Sequence, residues 1–175
     1  YINAIKQVAM RLHDLPNVVG YDSLNEPGSG YIGSQSVNTH DARLLAMGAS
    51  PTPYQAMLLG SGYTQTVDVL QTGFDGADVI GQQILNPNGE RLWRAGYDCV
   101  WKQNGVWTDE GGTARLLRPE HFALKDGRPV DFAEDHLKPF VKRFATAIRE
   151  IHPSALLFLE GIPGGAHPHW TPQDA

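Results

Sequence analysis

Two glutamates stand where the sequence pattern places the ends of strands. Glu26 lies in the run Asn25-Glu26-Pro27, and Glu160 follows the apolar run Ala155-Leu156-Leu157-Phe158-Leu159. Two carboxyl groups flanking a glycosidic bond are the equipment for its hydrolysis. One protonates the leaving oxygen, and the other attacks the anomeric carbon or activates water, according to their separation. Pro27 disfavours a helical conformation at the residue before it, so the sequence predicts an extended Glu26 aimed into the mouth of a cleft. Asn25 supplies an amide able to hydrogen-bond a sugar hydroxyl. Spacing alone leaves blander readings open: a surface acid at Glu26, a turn former at Asn25, and a structural acid at Glu160 paired with a Lys or Arg.

Other side chains could serve such a site. Tyr97, Trp101, Trp107 and Trp170 have faces that stack on sugar rings or line a lipid groove, with core packing as the alternative for each. Trp101 and Trp107, in a Gly-rich polar segment, are the aromatic pair expected to meet a ligand. His167-Pro168-His169 has the spacing of a metal pair, but no third ligand is evident, so no metal site is expected. The chain contains no phosphate-binding loop, no dinucleotide glycine fingerprint and no Gly-x-Ser-x-Gly elbow. No cofactor is implied.

The elements that must hold the two glutamates repeat a pattern. Ile2, Ile5, Val8, Ala9 and Leu12 mark one face of a helix over Ile2 to His13, stopped by Pro16. Val18 to Leu24 then reads as a buried parallel strand delivering Asn25-Glu26-Pro27. Leu137, Phe140, Val141, Phe144, Ile148 and Ile151 mark a second amphipathic helix, ended by His152-Pro153, and Ala155 to Leu159 is a second buried strand. Helix followed by strand, twice, is the unit of a parallel α/β sheet, either doubly wound or a (β/α)8 barrel. Barrel enzymes put their chemistry just past the carboxyl ends of the strands, where both glutamates fall.

Between these units the pattern weakens. From Gly28 to about Gly112, Gly and Pro are frequent. A short helix is expected at Tyr54 to Leu59, strands at Thr64 to Leu70 and Val79 to Leu85, a turn at Asn86-Pro87-Asn88-Gly89, and a helical turn or two over Glu90 to Tyr97. The stretch is too long for an ordinary loop and reads as a functional insertion.

Composition narrows the classes. With 175 residues, 41% hydrophobic and 19% charged, the chain has the makings of a packed domain. A net charge of -5 gives no support to nucleic-acid binding. The single cysteine, Cys99, excludes an internal disulfide and reads as a small buried residue. No apolar run is long enough for stable insertion across a membrane. The chain begins at Tyr1, inside a helical pattern, and ends in a loop, so it is expected to be a piece of a longer protein; no signal peptide opens it, and a cytoplasmic setting is the expectation.

The run Asn17 to Pro27 resembles the fourth-strand signature of glycoside hydrolase family 5. That resemblance implies a retaining β-glycosidase with Glu26 as acid/base and Asn25 on the sugar 2-hydroxyl. Gly28-Ser29-Gly30-Tyr31-Ile32-Gly33, Leu85 to Trp93, Asp98-Cys99-Val100-Trp101 and Gly105-Val106-Trp107 are similar to the endoglycoceramidase-like subgroup, which includes β-glucosylceramidases and steryl-β-glucosidases. It implies a portion of a (β/α)8 TIM barrel with a long irregular insertion, 28–118, after strand four. It implies a β-glucoside or glycolipid substrate, such as glucosylceramide or a steryl glucoside, with Tyr31, Trp101 and Trp107 as further substrate contacts. It places Glu160 at the end of a sixth strand in a supporting role, and the nucleophilic glutamate beyond Ala175. A polysaccharide-cleaving endo-β-glucanase or mannanase, and a non-catalytic carbohydrate- or lipid-binding fragment, are the rival readings. Exposed strand edges in a partial barrel lead to an expectation of self-association.

Overall fold

The structure is a computed structural model that describes residues 1–41, 47–74 and 76–174. In chain order the elements are helix α1 (Ile2–Leu12), strands β1 (Gly20–Asp22) and β2 (Gly48–Ser50), helix α2 (Pro53–Gly60), and strands β3 (Gln65–Gly73) and β4 (Gly76–Leu85). Then come helix α3 (Val100–Gln103), strands β5 (Trp107–Glu110), β6 (Thr113–Leu116), β7 (Leu124–Lys125) and β8 (Arg128–Pro129), helix α4 (Lys138–Arg149) and strand β9 (Leu156–Phe158). A wider, π-type turn over Ala133–Leu137 leads into α4. The chain divides into two compact units, one of Tyr1–Ser29 with Asp131–Ala175, the other of Gly30–Val130.

In the first unit β1 and β9 pair in parallel, with Gly20, Tyr21 and Asp22 opposite Leu156, Leu157 and Phe158. Side chains alternate across a strand, so Tyr21 and Leu157 turn to one face and Asp22 and Phe158 to the other. On the first face Tyr21 joins Ala9 of α1 and Phe144 and Ile148 of α4 in a core, with Leu157, Ile2 and Ile5 packed on it. Both helices are amphipathic for this reason: each buries one stripe and leaves its charges in water. A Lys6–Glu150 ion pair of 3.1 Å bridges α1 to the end of α4, and the Tyr21 hydroxyl meets His152 Nδ1 at 3.2 Å. Gly20 is required by the pairing itself, because a Cβ there would fall on the Leu156 carbonyl.

The helix–strand pattern is therefore present, but burial differs from expectation. Both strands were expected to be buried, whereas Leu156 and Phe158 are exposed. The reason is that the helices cover only the Tyr21–Leu157 face of this sheet.

The second unit is built from antiparallel pieces. Strands β2, β3 and β4 form one sheet in that order, and β5–β6 and β7–β8 form two hairpins. The core gathers Val37, Met57, Leu58, Cys99, Val106 and Trp107, with Tyr54, Tyr63, Trp93 and Trp101 packed around it. Helix α2 opens with a full capping box: the Gln55 N–H donates to Thr52 Oγ1 at 3.2 Å, and the Thr52 N–H donates to Gln55 Oε1 at 2.9 Å. The Asn86 turn closes as its composition suggests, with Asn86 at φ 53 donating to Glu90 O and accepting from the Glu90 N–H, each at 2.8 Å.

The expected helical turns over Glu90 to Tyr97 are absent. There the backbone bonds run elsewhere: the Leu92 N–H donates to Gly60 O at 3.0 Å, the Tyr97 N–H closes a local turn on Arg94 O, and Gly96 takes φ 83. These bonds leave no i to i−4 ladder to propagate.

Candidate active site

The acid residues of the first unit meet at the carboxyl ends of β1 and β9. The Ser23 N–H continues the ladder past β1 by donating to Phe158 O at 3.0 Å, with Ser23 itself buried. Asp22 is the last residue of β1 and stands on the face opposite Tyr21. Two residues beyond its register partner Phe158 comes Glu160, and Asp22 and Glu160 are hydrogen-bonded to each other. The Glu160 carboxyl is accordingly raised above the usual carboxylate range, first by that bond, then by the Asp22 charge, by partial burial and by the Glu26 charge.

Glu26 and Asn25 are exposed, and Pro27 behind them is buried. The chain leaves β1 in a bend at Asn25-Glu26, and Glu26 takes φ 42. This corrects the extended conformation expected before Pro27. The buried Pro27 anchors the far side of the bend, and the turn out of the strand is made at Glu26. A left-handed conformation in a residue with a side chain costs about 1–2 kcal/mol, and strain of this kind gathers at functional positions.

Asp22 is the member of this cluster that motif reading passed over. Its signal was present: an acid ending a strand one face away from Tyr21, four residues before Glu26. The cluster thus holds three carboxyl groups, and the Glu160 carboxyl is raised by the two acids near it. That arrangement can deliver a proton and accept one back.

The remaining candidates lie in other surroundings. Tyr31 is half-buried, with its ring 5.7 Å from Phe122. Trp101 is half-buried and meets Trp93 edge-on at 6.5 Å. Trp107, expected to meet a ligand, is 1% exposed and is the largest of the fully buried side chains. Its faces are taken up by Tyr63, edge-on at 6.1 Å, and by the Lys102 ammonium 5.4 Å from the ring centre. It is a core residue, and no face remains for a sugar. Trp170 likewise carries the Lys138 ammonium at 5.6 Å. His167 packs beside Gly161, where a Cβ would come within 2.6 Å of the ring. Among the described residues no three His, Cys, Asp or Glu side chains are grouped to hold a metal ion.

No protein-family model matches the chain. Individual proteins do. It is 34% identical to a glucosylceramidase of Rhizopus delemar across 99% of this chain and 26% of that protein. It is 30% identical to a glucosylceramidase of Aspergillus fumigatus, across 91% of the chain and 24% of the relative. An ergosteryl-β-glucosidase of Saccharomyces cerevisiae is 26% identical over 89% of the chain and 23% of its own length. The crystal structure of sterylglucosidase 1 from Cryptococcus neoformans superposes with a TM-score of 0.82 at 28% identity, over 99% of this chain and 28% of that one. The chain is homologous to one segment of these glucosidases. It spans about a quarter of the length of the curated relatives it matches. Its mixed α/β architecture is the one found in that segment of the sterylglucosidase.

Proposed function

We propose that this chain is the acid/base-bearing segment of a retaining β-glucosidase that acts on glucosides with a lipid aglycone, of the glucosylceramide or steryl glucoside kind. The observation that carries the reading is the position of Glu26, held in a left-handed bend directly past the carboxyl end of a parallel strand. In that place barrel enzymes keep catalytic groups. The names of the homologous proteins supply the substrate class.

The chemistry follows from the carboxyl groups. Glu26, protonated, gives its proton to the glycosidic oxygen as the bond to the aglycone breaks. As a carboxylate it then takes a proton from the water that releases the sugar. Asn25 beside it is the amide for a sugar hydroxyl. The nucleophile must be ionised at the moment of attack. Glu160, whose carboxyl is pushed up by Asp22 beside it, is suited to a supporting hydrogen bond at the rim and less suited to attack. The nucleophile is assigned to another part of the longer polypeptide. Tyr31 and Trp101, each part-exposed, are the aromatic candidates for substrate contact in the second unit.

The same reading makes the first unit a portion of a (β/α)8 barrel and the second an insertion between two of its strands. Because β1 and β9 are hydrogen-bonded parallel neighbours, β9 takes the position next to β1. If β1 is the fourth strand, β9 is then the fifth and not the sixth. The open β9 edge and the exposed Phe158 face would meet further strands of the same barrel, and a second copy where those are missing.

The test is hydrolysis of a fluorogenic β-glucoside by the longer polypeptide, by its Glu26→Gln and Glu160→Gln variants, and by this chain alone. Glu26→Gln should lower kcat roughly 10²- to 10⁴-fold. Glu160→Gln should act mainly on KM, and the isolated chain should be inert. An active isolated chain that Glu160→Gln silences would make Glu160 the nucleophile and overturn the assignment.

A further inference from the structure

The second unit carries an exposed apolar end that the glucosidase chemistry does not use. The β3–β4 hairpin turns at Phe74, which is fully exposed. Register places three more apolar residues at the same end of the sheet. Leu70 pairs with Gly48 on one side and Val79 on the other, so Met47 and Ile80 flank that row as well. Met47 is 78% exposed, Val79 59% and Ile80 60%. Ile80 is the extra residue where the pairing shifts register between Val69 and Leu70, a bulge that turns an additional apolar side chain outward. The charge pattern is equally one-sided. From Met47 to Glu90 the sequence has no Lys and no Arg, while Asp68 and Asp78 lie in the hairpin strands.

We infer that this hairpin end is a docking surface for an uncharged lipid bilayer. The inference rests on the reading of the substrate as a lipid glucoside. Such a substrate keeps its aglycone in a bilayer, so an enzyme acting on it must meet the lipid surface, and among the described residues no helix is long and apolar enough to cross one. Four exposed apolar side chains at one end supply the affinity by leaving water. The absence of Lys and Arg from Met47 to Glu90 and the acids Asp68 and Asp78 of the hairpin disfavour attraction to an anionic surface. They fit a surface of zwitterionic lipids and neutral glycolipids. Contact is shallow, because Gln71, Thr72, Asp78 and the polar backbone of the edge strand β4 must stay hydrated.

The experiment is flotation of the longer polypeptide with vesicles of phosphatidylcholine and glucosylceramide. The unaltered protein should float with them equally at low and high salt, and replacing part of the phosphatidylcholine with phosphatidylserine should weaken binding. Phe74→Ser should lower the partition coefficient about tenfold, the effect of losing one large apolar side chain. Leu92→Ser, at an exposed leucine outside the hairpin, should leave it unchanged. A Phe74→Cys variant adds a second readout, in a background where cysteines outside this chain are replaced by Ser; Cys99 is fully buried and stays silent. A water-soluble maleimide should label position 74 in solution, and vesicles should protect it.

Absence of flotation, or binding that grows with anionic lipid and collapses in salt, overturns the inference. So does protection of position 74 without vesicles. Protection that depends on concentration would assign the surface to a second copy, and protection that does not would assign it to the polypeptide's own remaining parts. Hydrolysis of a soluble β-glucoside, run in parallel, separates the two claims. Its loss would sink the glucosidase reading, whereas soluble hydrolysis without flotation would sink the docking surface alone.

Discussion

The two units reach stability by different routes. The first is discontinuous in sequence and regular in design: two amphipathic helices lie on one face of a parallel strand pair, and Phe144 and Ile148 fill the space between. The second is continuous and irregular, with short antiparallel pieces gathered around Trp107 and Met57. The chemistry divides in the same way. The first unit gathers carboxyl groups at its strand ends, and the second has no Lys or Arg from Met47 to Glu90 and is apolar at one end. Regular framework and acid chemistry go together, while the irregular unit offers surface.

The largest effect that would separate the two is removal of the second core. Trp107→Ala should cost about 3–5 kcal/mol, because the cavity left by a fully buried indole cannot collapse. Hydrogen exchange should show lost protection in β5 and β6 and retained protection in α4. Equal loss in α4 would mean that the units do not hold themselves separately.

Gly20→Ala probes the first unit at its narrowest point. The added methyl falls on the Leu156 carbonyl, so β1 and β9 must move apart, at about 1–3 kcal/mol. Activity should fall with it, since the same pairing carries Asp22, Glu26 and Glu160. Unchanged melting would refute the close approach.

Glu26→Gly should do the reverse and raise stability by about 1 kcal/mol, because glycine takes φ 42 without strain. A variant that is more stable and inactive is the signature of a strained functional residue. Loss of stability would mean that Glu26 is held by contacts instead.

The smallest effect concerns the turn over Pro172–Asp174. Lys142, Thr171 and Lys138 hold the Asp174 carboxyl well below the usual carboxylate range. A depressed folded-state pKa gives stability that is complete above the unfolded value of about 3.9 and is lost as pH falls towards the folded one. The turn should therefore loosen only below about pH 4, and salt should weaken it because the Lys142 partner is half-exposed. Carboxyl chemical shifts followed by NMR would check this, and a midpoint at the ordinary value would contradict it.

How much was legible in the sequence follows from the same contrast. The first unit announced itself because α1 and α4 each bury one stripe against a sheet, and that requirement writes a 3.6-residue period. Their bounds and the strands after them were readable to within a few residues. What was not readable was the open face of β9, since periodicity reports which side packs on helices and not what covers the other. In the second unit the capped helix at Thr52 and the Asn86 turn were legible because each is a local device. Strands β5 to β8 were missed, being two to four residues long. The burial of Trp107 was hidden for a related reason: a core assembled from many short pieces imposes no period on any one of them. At the site, Asn25 and Glu26 stood out as a motif, whereas Asp22, an acid at a strand end with no motif around it, was joined to Glu160 by its register with Phe158.

The central claim is that Glu26 is the acid/base of a retaining β-glucosidase. The most direct measurement is hydrolysis of an aryl β-glucoside with a good leaving group by the Glu26→Ala variant of the longer polypeptide, with and without azide. Such a leaving group departs without a proton, so the first step survives and the glycosyl-enzyme accumulates for lack of a base. Azide needs no base to attack it. The account predicts a fast burst, a slow steady state, and azide rescue yielding the β-glucosyl azide. No burst and no rescue at Glu26, with rescue to the inverted α-azide at Glu160→Ala, would identify Glu160 as the nucleophile and contradict the account.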